Sequence, residues 1–237
     1  MALCPEHHID FLLHYTGEYE REVAAIFPRI ITPGQIVIDL GANIGYYSVG
    51  AALLTGPSGS VHAFEPVPAT FRQLEESVQI NHLPNVVINN LAVSDHPGTA
   101  TIYVGGICPG SSSFAPNELS ASECEVNVTT LDDYVREQSL PSVDFIKMDI
   151  EGAEMLALLG MRDVLSRFQP SILFEFNPPC LRRLGVQPEQ VLKFLEDYGY
   201  SFYSADKRLM PLRSDGITQY GNIYASTHGI DRSLGGS

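Results

Sequence analysis

The feature that most constrains this chain is the stretch of residues 37–48, VIDLGANIGYYS. An apolar, β-branched run ends at Asp39, a turn follows at Gly41, and the residues after Gly45 have a helical pattern. This order predicts a strand, a tight turn and a helix. In α/β proteins such a unit forms the floor of a cofactor site beside the carboxyl end of the first strand. We therefore expect an α/β fold built on a mostly parallel sheet.

The composition of the turn indicates which cofactor it holds. A dinucleotide turn has the pattern GxGxxG, but here Asn43 and Tyr46 stand in place of the second and third glycines. Asp39 would also repel a diphosphate, whereas it would attract the ammonium and sulfonium groups of S-adenosylmethionine. We predict S-adenosylmethionine as the cofactor, with a nicotinamide-dependent oxidoreductase as the alternative. The predicted cofactor-binding residues of this unit are Asp39, Gly41, Ala42, Asn43 and Gly45.

Two further strands are predicted to reach the same cofactor. The second strand ends at Glu65 and Pro66, at roughly the 20-residue spacing from the turn at which a βαβ unit brings a carboxylate to the ribose diol. One carboxylate can accept hydrogen bonds from both diol hydroxyls. The third strand leads to Asn90 and Ala92, and we expect the Asn90 side chain or the backbone near Ala92 to meet the adenine edge.

The fourth and fifth predicted strands supply the candidate catalytic residues. One ends at Asp149, with Glu151 close behind, and the other ends at Glu175. Because the carboxyl ends of parallel strands line one crevice, these acids should meet Asp39 and Glu65 there. Methyl transfer needs a base to take the proton of the acceptor. We predict that Asp149 lies near the methionyl part of the cofactor or the acceptor hydroxyl, with Glu151 and Glu175 as alternative bases.

Acids gathered at one edge repel each other unless a cation or hydrogen-bond donors lie among them. Lys147, flanked by apolar residues in the fourth strand, is predicted to neutralise a nearby carboxylate. Alternatively, Asp149 and Glu175 share a divalent cation, since hard oxygen ligands suit Mg²⁺. The sequence gives no fuller set of ligands, so no metal site is assigned.

The chain is predicted to form one main domain. Its 237 residues suffice for a single α/β core, which we place at residues 34–230. A helical segment at residues 1–33 precedes this domain, and a flexible tail at residues 231–237 follows it. Residues 105–125 are rich in Gly, Ser and Pro and predict a functional loop.

Local patterns add three expectations about the elements. Asn43 is expected to cap the helix that follows the first strand, over residues 44–54. Residues 129–133, TTLDD, form a capping-box start for a helix that reaches about Gln138. Two consecutive strands, at residues 200–205 and 221–226, should form an antiparallel pair at the sheet edge.

Charge and composition bear on partners and location. The net charge of -14 disfavours nucleic acid and anionic membranes as partners, so we expect a small neutral or cationic acceptor. The sequence has no apolar run of the roughly 20 residues that a membrane span needs and no basic-then-apolar leader, and we expect a cytoplasmic protein. Its four cysteines form no C-x-x-C pair and are expected to be reduced, with a Cys108–Cys124 bridge as the weaker alternative. Nothing in the sequence predicts an oligomeric state.

Five segments together resemble the FkbM-type S-adenosylmethionine-dependent methyltransferases. They are VIDLGANIGYYS (37–48), VHAFEPVP (61–68), NLAVSD (90–95), VTTLDDYV (128–135) and DFIKMDIEGAE (144–154). The resemblance implies a Rossmann-like class I fold, with a seven-stranded, mostly parallel sheet, an antiparallel terminal strand and helices on both faces. It also implies methylation of a hydroxyl on a sugar or natural product. A non-catalytic domain that binds S-adenosylmethionine remains an alternative.

Overall fold

The computed structural model describes residues 20–105, 112–116, 118 and 120–230. Several predicted features lie outside these residues: most of the N-terminal segment, part of the loop, and the tail. Cys4 and Cys108 also lie outside them, and so does any Cys108–Cys124 bridge. None of the described helices combines the length and the apolar character of a membrane-spanning segment.

Eight strands form the main sheet in the order β10-β9-β11-β8-β7-β1-β2-β3. The five strands from β8 to β3 are parallel, while β11 is antiparallel to both β8 and β9. The bounds are β1 Ile36–Leu40, β2 Ser60–Phe64, β3 Val86–Asn89, β7 Phe145–Met148, β8 Ser171–Phe176, β9 Ser201–Ser204, β10 Pro211–Leu212 and β11 Gly221–Ser226. The predicted mostly parallel α/β sheet and its antiparallel terminal pair are therefore confirmed. The strand beyond the predicted seven is β10, whose two residues are too few to show a periodic pattern.

A second, smaller sheet of three strands has the order β4-β6-β5, with β4 at Ala92–Val93, β5 at Gly98–Gly105 and β6 at Ser120–Thr129. The predicted loop at residues 105–125 is therefore too long, because its last residues belong to β6. The first half of β6 is polar and shows little alternation, but β5 supplies a continuous antiparallel partner, in which Ile102 lies opposite Cys124. Tertiary pairing overrides the weak local preference there.

In the described part of the chain, eight α-helices surround the sheets. Their bounds are α1 Arg21–Ile30, α2 Tyr46–Thr55, α3 Pro68–Ile80, α4 Leu131–Glu137, α5 Glu154–Leu159, α6 Arg162–Phe168, α7 Pro178–Arg183 and α8 Pro188–Asp197. Thr130 caps α4 as predicted, because its side chain accepts a hydrogen bond from the Asp133 N–H. The predicted Asn43 cap is wrong: α2 begins after Gly45, and Asn43 lies in the preceding turn with a φ of 51°.

The main sheet buries both of its faces. Successive residues of one strand point to opposite faces, so Ile38 packs with one apolar cluster and its neighbour Val37 with another. The first cluster includes residues of α4, α5, α6 and α8, and the second includes residues of α1 and α2. The predicted helices on both faces are thus confirmed, and water reaches the parallel strands mainly at their ends.

Candidate active site

The acidic residues named from the sequence lie on neighbouring strands. In the order β8-β7-β1-β2, all parallel, Glu175 is near the end of β8, Asp149 follows β7, Asp39 is near the end of β1 and Glu65 follows β2. The chain passes from β1 outward to β2 and β3, and then returns to the other side of β1 with β7. Ligands of open α/β sheets bind beside the carboxyl ends of the strands at such a reversal. The sheet therefore brings the predicted acids together at the carboxyl ends of its strands, which we call the acidic edge.

Asp39 and Lys147 are the buried charged residues beneath this acidic edge, on the neighbouring strands β1 and β7. Asp39 is 1% exposed; its Oδ2 accepts a hydrogen bond of 2.6 Å from Ser48 Oγ, and its Oδ1 has no hydrogen-bond partner among the described residues. Burial raises the pKa of Asp39, although Lys147 acts in the opposite direction. Lys147 Nζ lies 3.2 Å from Asp149 Oδ2 and 4.6 Å from the ring centroid of Tyr47.

The charge of Lys147 is stabilised by its neighbours. Burial lowers the pKa of Lys147, but the carboxylates of Asp149, Asp39 and Glu20 together outweigh burial and raise it. The lysine is therefore protonated at neutral pH. The prediction that it neutralises a nearby carboxylate is confirmed by its ion pair with Asp149.

The glycines of the turn are needed for packing within the protein. Gly41 has a φ of +78°, and a Cβ there would lie 1.9 Å from the carbonyl oxygen of Asp149. Gly45 has a φ of +93°, and a Cβ there would lie 2.8 Å from Leu74 Cδ1. The sequence suggests that these glycines admit a ligand. The structure shows that they admit the backbone after β7 and a side chain of α3.

The backbone N–H groups of this turn are also engaged within the protein. Those of Gly41 and Ala42 both donate to the Phe64 carbonyl, at 3.0 and 2.9 Å, and that of Gly45 donates to the Ala42 carbonyl. The N–H of Asn43 donates to Glu65 Oε2 at 3.0 Å. A diphosphate site needs such N–H groups directed at the ligand. This turn therefore lacks the main feature of a dinucleotide site at all four residues.

Glu65 joins the turn to the end of β2. Its side chain is 7% exposed, and its two oxygens accept hydrogen bonds from the N–H groups of Asn43 and Val67, at 3.0 and 2.9 Å. Burial outweighs these bonds and raises the pKa of Glu65 to about 7. Each carboxylate oxygen has a second lone pair. Glu65 can therefore still accept hydrogen bonds from a ligand.

The remaining predicted cofactor residues support this corner of the site. Asn90 is exposed, and its Nδ2 donates to the carbonyls of Glu65 and Pro66, at 2.9 and 3.0 Å. Ala92 is buried in β4, in an apolar cluster with Val67. Asn90 thus fixes the segment that carries Glu65. A contact of either residue with adenine stays a prediction.

The three predicted catalytic acids come together. Asp149, Glu151 and Glu175 each offer a carboxylate oxygen, and these oxygens lie within 4.8 Å of one another. Glu175 is 7% exposed; its Oε1 accepts a hydrogen bond of 2.5 Å from the Tyr220 hydroxyl, and its Oε2 has no partner in the described part of the chain. Burial, followed by the charge of Asp149, raises the pKa of Glu175 to about 8 and that of Glu151 to about 7.

Glu151 also connects this cluster to α7. Its Oε2 accepts a hydrogen bond of 3.4 Å from the Cys180 thiol, which in turn is contacted by Arg183. Glu151 itself has a φ of 52°, in the left-handed region that non-glycine residues seldom occupy. Strained residues of this kind are concentrated at functional sites.

Sequence reasoning missed three residues of this edge. Glu154 is 1% exposed. It belongs to the segment DFIKMDIEGAE, but nothing in that sequence indicates that its side chain is buried. Tyr220 and Asn222 come from a distant part of the chain and carry no local signal. Asn222 Nδ2 donates to Glu20 Oε1 at 2.9 Å, and the Tyr47 hydroxyl donates to Glu20 Oε2 at 2.6 Å.

Comparison with known proteins identifies relatives of the chain. The sequence matches the family described as "Methyltransferase FkbM domain" over residues 39–202. It is 29% identical over 164 residues to the 31-O-demethyl-FK506 methyltransferase FkbM of Streptomyces tacrolimicus, covering 56% of this chain and 62% of that protein. It is 26% identical over 190 residues to the hexuronic acid methyltransferase AglP of Haloferax volcanii, covering 75% of this chain and 68% of AglP.

A solved structure agrees with the fold. The methyltransferase FkbM of Methylobacillus flagellatus KT has a TM-score of 0.51 at 18% identity, covering 90% of this chain and 52% of that chain. The present chain thus spans about half of that structure and 62% of the Streptomyces relative. The matched residues 39–202 run from the end of β1 into β9 and include every strand-end acid described above. On this evidence the chain belongs to the FkbM-domain methyltransferase family.

Proposed function

We propose that this chain transfers the methyl group of S-adenosylmethionine to a hydroxyl of a small acceptor, a sugar or a natural product. Membership of a methyltransferase family supports the reaction. The name of the Streptomyces relative gives an oxygen position of a natural product, and that of the Haloferax relative gives a hexuronic acid, which supports an acceptor of this kind. The observation that carries the proposal is the set of acidic side chains at the carboxyl ends of the parallel strands. They lie beside the turn at residues 41–45, whose backbone N–H groups already donate hydrogen bonds within the protein.

The cofactor is proposed to lie across the ends of β7, β1 and β2. Glu65, with free lone pairs on both oxygens, would accept the ribose hydroxyls. Asp39, whose Oδ1 lacks a partner among the residues described, would attract the ammonium of the methionyl part. Asn90 would hold Glu65 in place through the carbonyls that it bonds. Gly41, Ala42, Asn43 and Gly45 would act by shaping the turn.

The acceptor is proposed to lie over β7 and β8. Methyl transfer is an in-line displacement, so the enzyme must align the acceptor oxygen, the methyl carbon and the sulfur. The acceptor's proton would pass to a carboxylate of the Asp149, Glu151 and Glu175 cluster. Glu151 and Glu175 have pKa values of about 7 and about 8, and a base of that strength suits proton transfer near neutral pH.

Labelled cofactor tests this proposal. The full chain is incubated with methyl-labelled S-adenosylmethionine and separate acceptors: uronic acids, neutral glycosides and macrolides that carry free hydroxyls. We expect label in at least one acceptor and formation of S-adenosylhomocysteine. Binding of S-adenosylmethionine without transfer to any hydroxyl would favour a non-catalytic binding domain. Binding of NADH in its place would favour the oxidoreductase alternative.

The domain bounds, the location and the kind of partner stay predictions from the sequence. The methyltransferase domain is proposed to occupy residues 34–230, which extends the matched family region at both ends. The protein is proposed to act in the cytoplasm. It is proposed to act on small molecules and not on nucleic acid, because its net charge is -14. Size-exclusion chromatography with light scattering would supply the oligomeric state.

A further inference from the structure

The acidic cluster on β7 and β8 gathers several carboxyl groups in a small, largely buried space. Besides Asp149, Glu151 and Glu175, whose oxygens lie within 4.8 Å of one another, Glu154 is close enough to influence the pKa of Glu175. Two cations in the described part of the chain act on these acids. Lys147 is paired with Asp149, and Arg183 acts on Glu151 across the Cys180 thiol.

Two buried carboxylate oxygens beside the cluster lack hydrogen-bond partners among the residues described. Glu175 Oε2 is one of them, on a side chain that is 7% exposed. Because both oxygens of a carboxylate are on one carbon, Oε2 lies in the cluster or immediately beside it. The other is Glu154 Oε2, on a side chain that is 1% exposed, whose Oε1 accepts from the Gly152 N–H. Buried polar atoms are nearly always bonded, and an unbonded one indicates an unseen partner.

We propose that Asp149, Glu151 and Glu175 bind a divalent cation, Mg²⁺ in the cell. Three carboxylate oxygens from separate positions of the chain, all within 4.8 Å, form the hard, all-oxygen ligand set that Mg²⁺ prefers. Mg²⁺ keeps several of its waters and is bound by few carboxylates. The cation would supply the partner that Glu175 Oε2 lacks, and Glu154 would stand behind the ligands as an acceptor for a bound water.

The geometry of the ligands supports a prepared site. Glu151 is held by its left-handed backbone and by the Cys180 thiol, and Glu175 is held by the Tyr220 hydroxyl. Asp149 is fixed through Lys147 and through its own N–H, which donates to the Leu40 carbonyl at 3.0 Å. Partners of this kind orient metal ligands and are a regular feature of metal sites.

This inference rests on the proposed function for its chemical role. With the cation bound, an acceptor oxygen could replace one of its waters, and coordination lowers the pKa of a hydroxyl. The hydroxyl's proton would leave to a carboxylate or to water, the oxygen would bond to the methyl carbon, and the methyl–sulfur bond would break to give S-adenosylhomocysteine. An acceptor with two adjacent hydroxyls, such as a sugar, would replace two waters and bind best.

Binding of Mn²⁺ tests the site without requiring catalysis. Mn²⁺ is titrated into the full-length protein without cofactor, and free Mn²⁺ is followed by electron paramagnetic resonance. We expect one Mn²⁺ per chain, displaced by Mg²⁺. Glu151→Gln and Glu175→Gln should each weaken binding at least tenfold. Asp197→Asn, on a surface acid paired with Lys193, is the control and should leave the affinity unchanged.

The outcomes separate the cation site from the proposed reaction. Saturable Mn²⁺ binding that is lost in Glu151→Gln supports the site. Because Glu151 is only partly buried, this variant is expected to fold even if Glu175→Gln does not. No saturable binding, or equal affinity in wild type and Glu151→Gln, would overturn it. If methyl transfer persists undiminished in excess EDTA, the cation's role in the reaction is wrong while the proposed function stands. If Mn²⁺ binds but S-adenosylmethionine does not, the proposed function fails and the cation site stands.

Discussion

Replacing Glu65 by Gln should change how the stability of the cofactor-free protein depends on pH. The carboxyl is 7% exposed, and burial raises its pKa from 4.5 to about 7 despite hydrogen bonds from the Asn43 and Val67 N–H groups. A carboxyl whose pKa is raised by folding stabilises the folded state below its unfolded pKa. That stabilisation is lost as the pH rises through the folded pKa.

The magnitude follows from the size of the shift. At about 1.4 kcal/mol per pKa unit, ionising the buried Glu65 costs the folded state about 3 kcal/mol. Between about pH 5 and about pH 8.5, wild type should lose about 2 to 3 kcal/mol through this group, because the unfolded carboxyl is already partly ionised at the lower pH. Gln cannot ionise, but it offers one acceptor oxygen in place of two. Its variant should therefore be less stable by about 1 to 3 kcal/mol at low pH.

Urea denaturation at the two pH values measures this effect. We expect Glu65→Gln to be the less stable protein near pH 5 and to reach or exceed wild type near pH 8.5. The change in the difference between the two proteins should be about 2 to 3 kcal/mol. Glu76→Gln, on an exposed acid of α3, is the control and should follow wild type at both pH values. If Glu65→Gln and wild type lose stability in parallel, Glu65 is not the buried, titrating group described here.

Other substitutions test the packing and charges of the site. Gly41→Ala should lower the free energy of unfolding, measured in urea, by about 3 kcal/mol or more, because its Cβ would lie 1.9 Å from the Asp149 carbonyl oxygen with φ at +78°. Gly50→Ala is the control: nothing lies near its Cβ, and it should raise the free energy of unfolding by about 0.5 to 1 kcal/mol. Lys147→Met should lose about 3 kcal/mol at neutral pH by leaving buried carboxylates unpaired, and less in acid; an equal loss at pH 4 would contradict this. Thr130→Ala should lower stability by about 1 kcal/mol, seen as a lower Tm, with the Kd for S-adenosylmethionine unchanged.

The strand ends of this protein could be predicted because two strong signals coincide there. Buried parallel strands read as apolar runs. An acid interrupts the run near its end at Asp39 and Glu175, and an acid follows it directly at Asp149 and Glu65. The parallel arrangement then places all four acids at one edge, whatever the loops between them do. The fold and the position of the site therefore followed from local patterns together with one rule of topology.

Contacts between distant parts of the chain were not predictable in the same way. The sequence shows glycine at 41 and 45, but only the fold shows that a carbonyl and a leucine lie against them. Asn43 is a residue type that often caps helices, yet here its N–H donates a hydrogen bond to Glu65. The hydrogen bond of Tyr220 to Glu175 joins two segments whose spacing carries no periodic signal.

The most direct test is a crystal structure of the full chain with S-adenosylhomocysteine. We expect the ribose hydroxyls within hydrogen-bond distance of Glu65, the ammonium nearest Asp39, and the sulfur facing the cluster of Asp149, Glu151 and Glu175. A ligand bound away from the ends of β1, β2 and β7, or one whose ribose contacts no part of Glu65, would contradict the account.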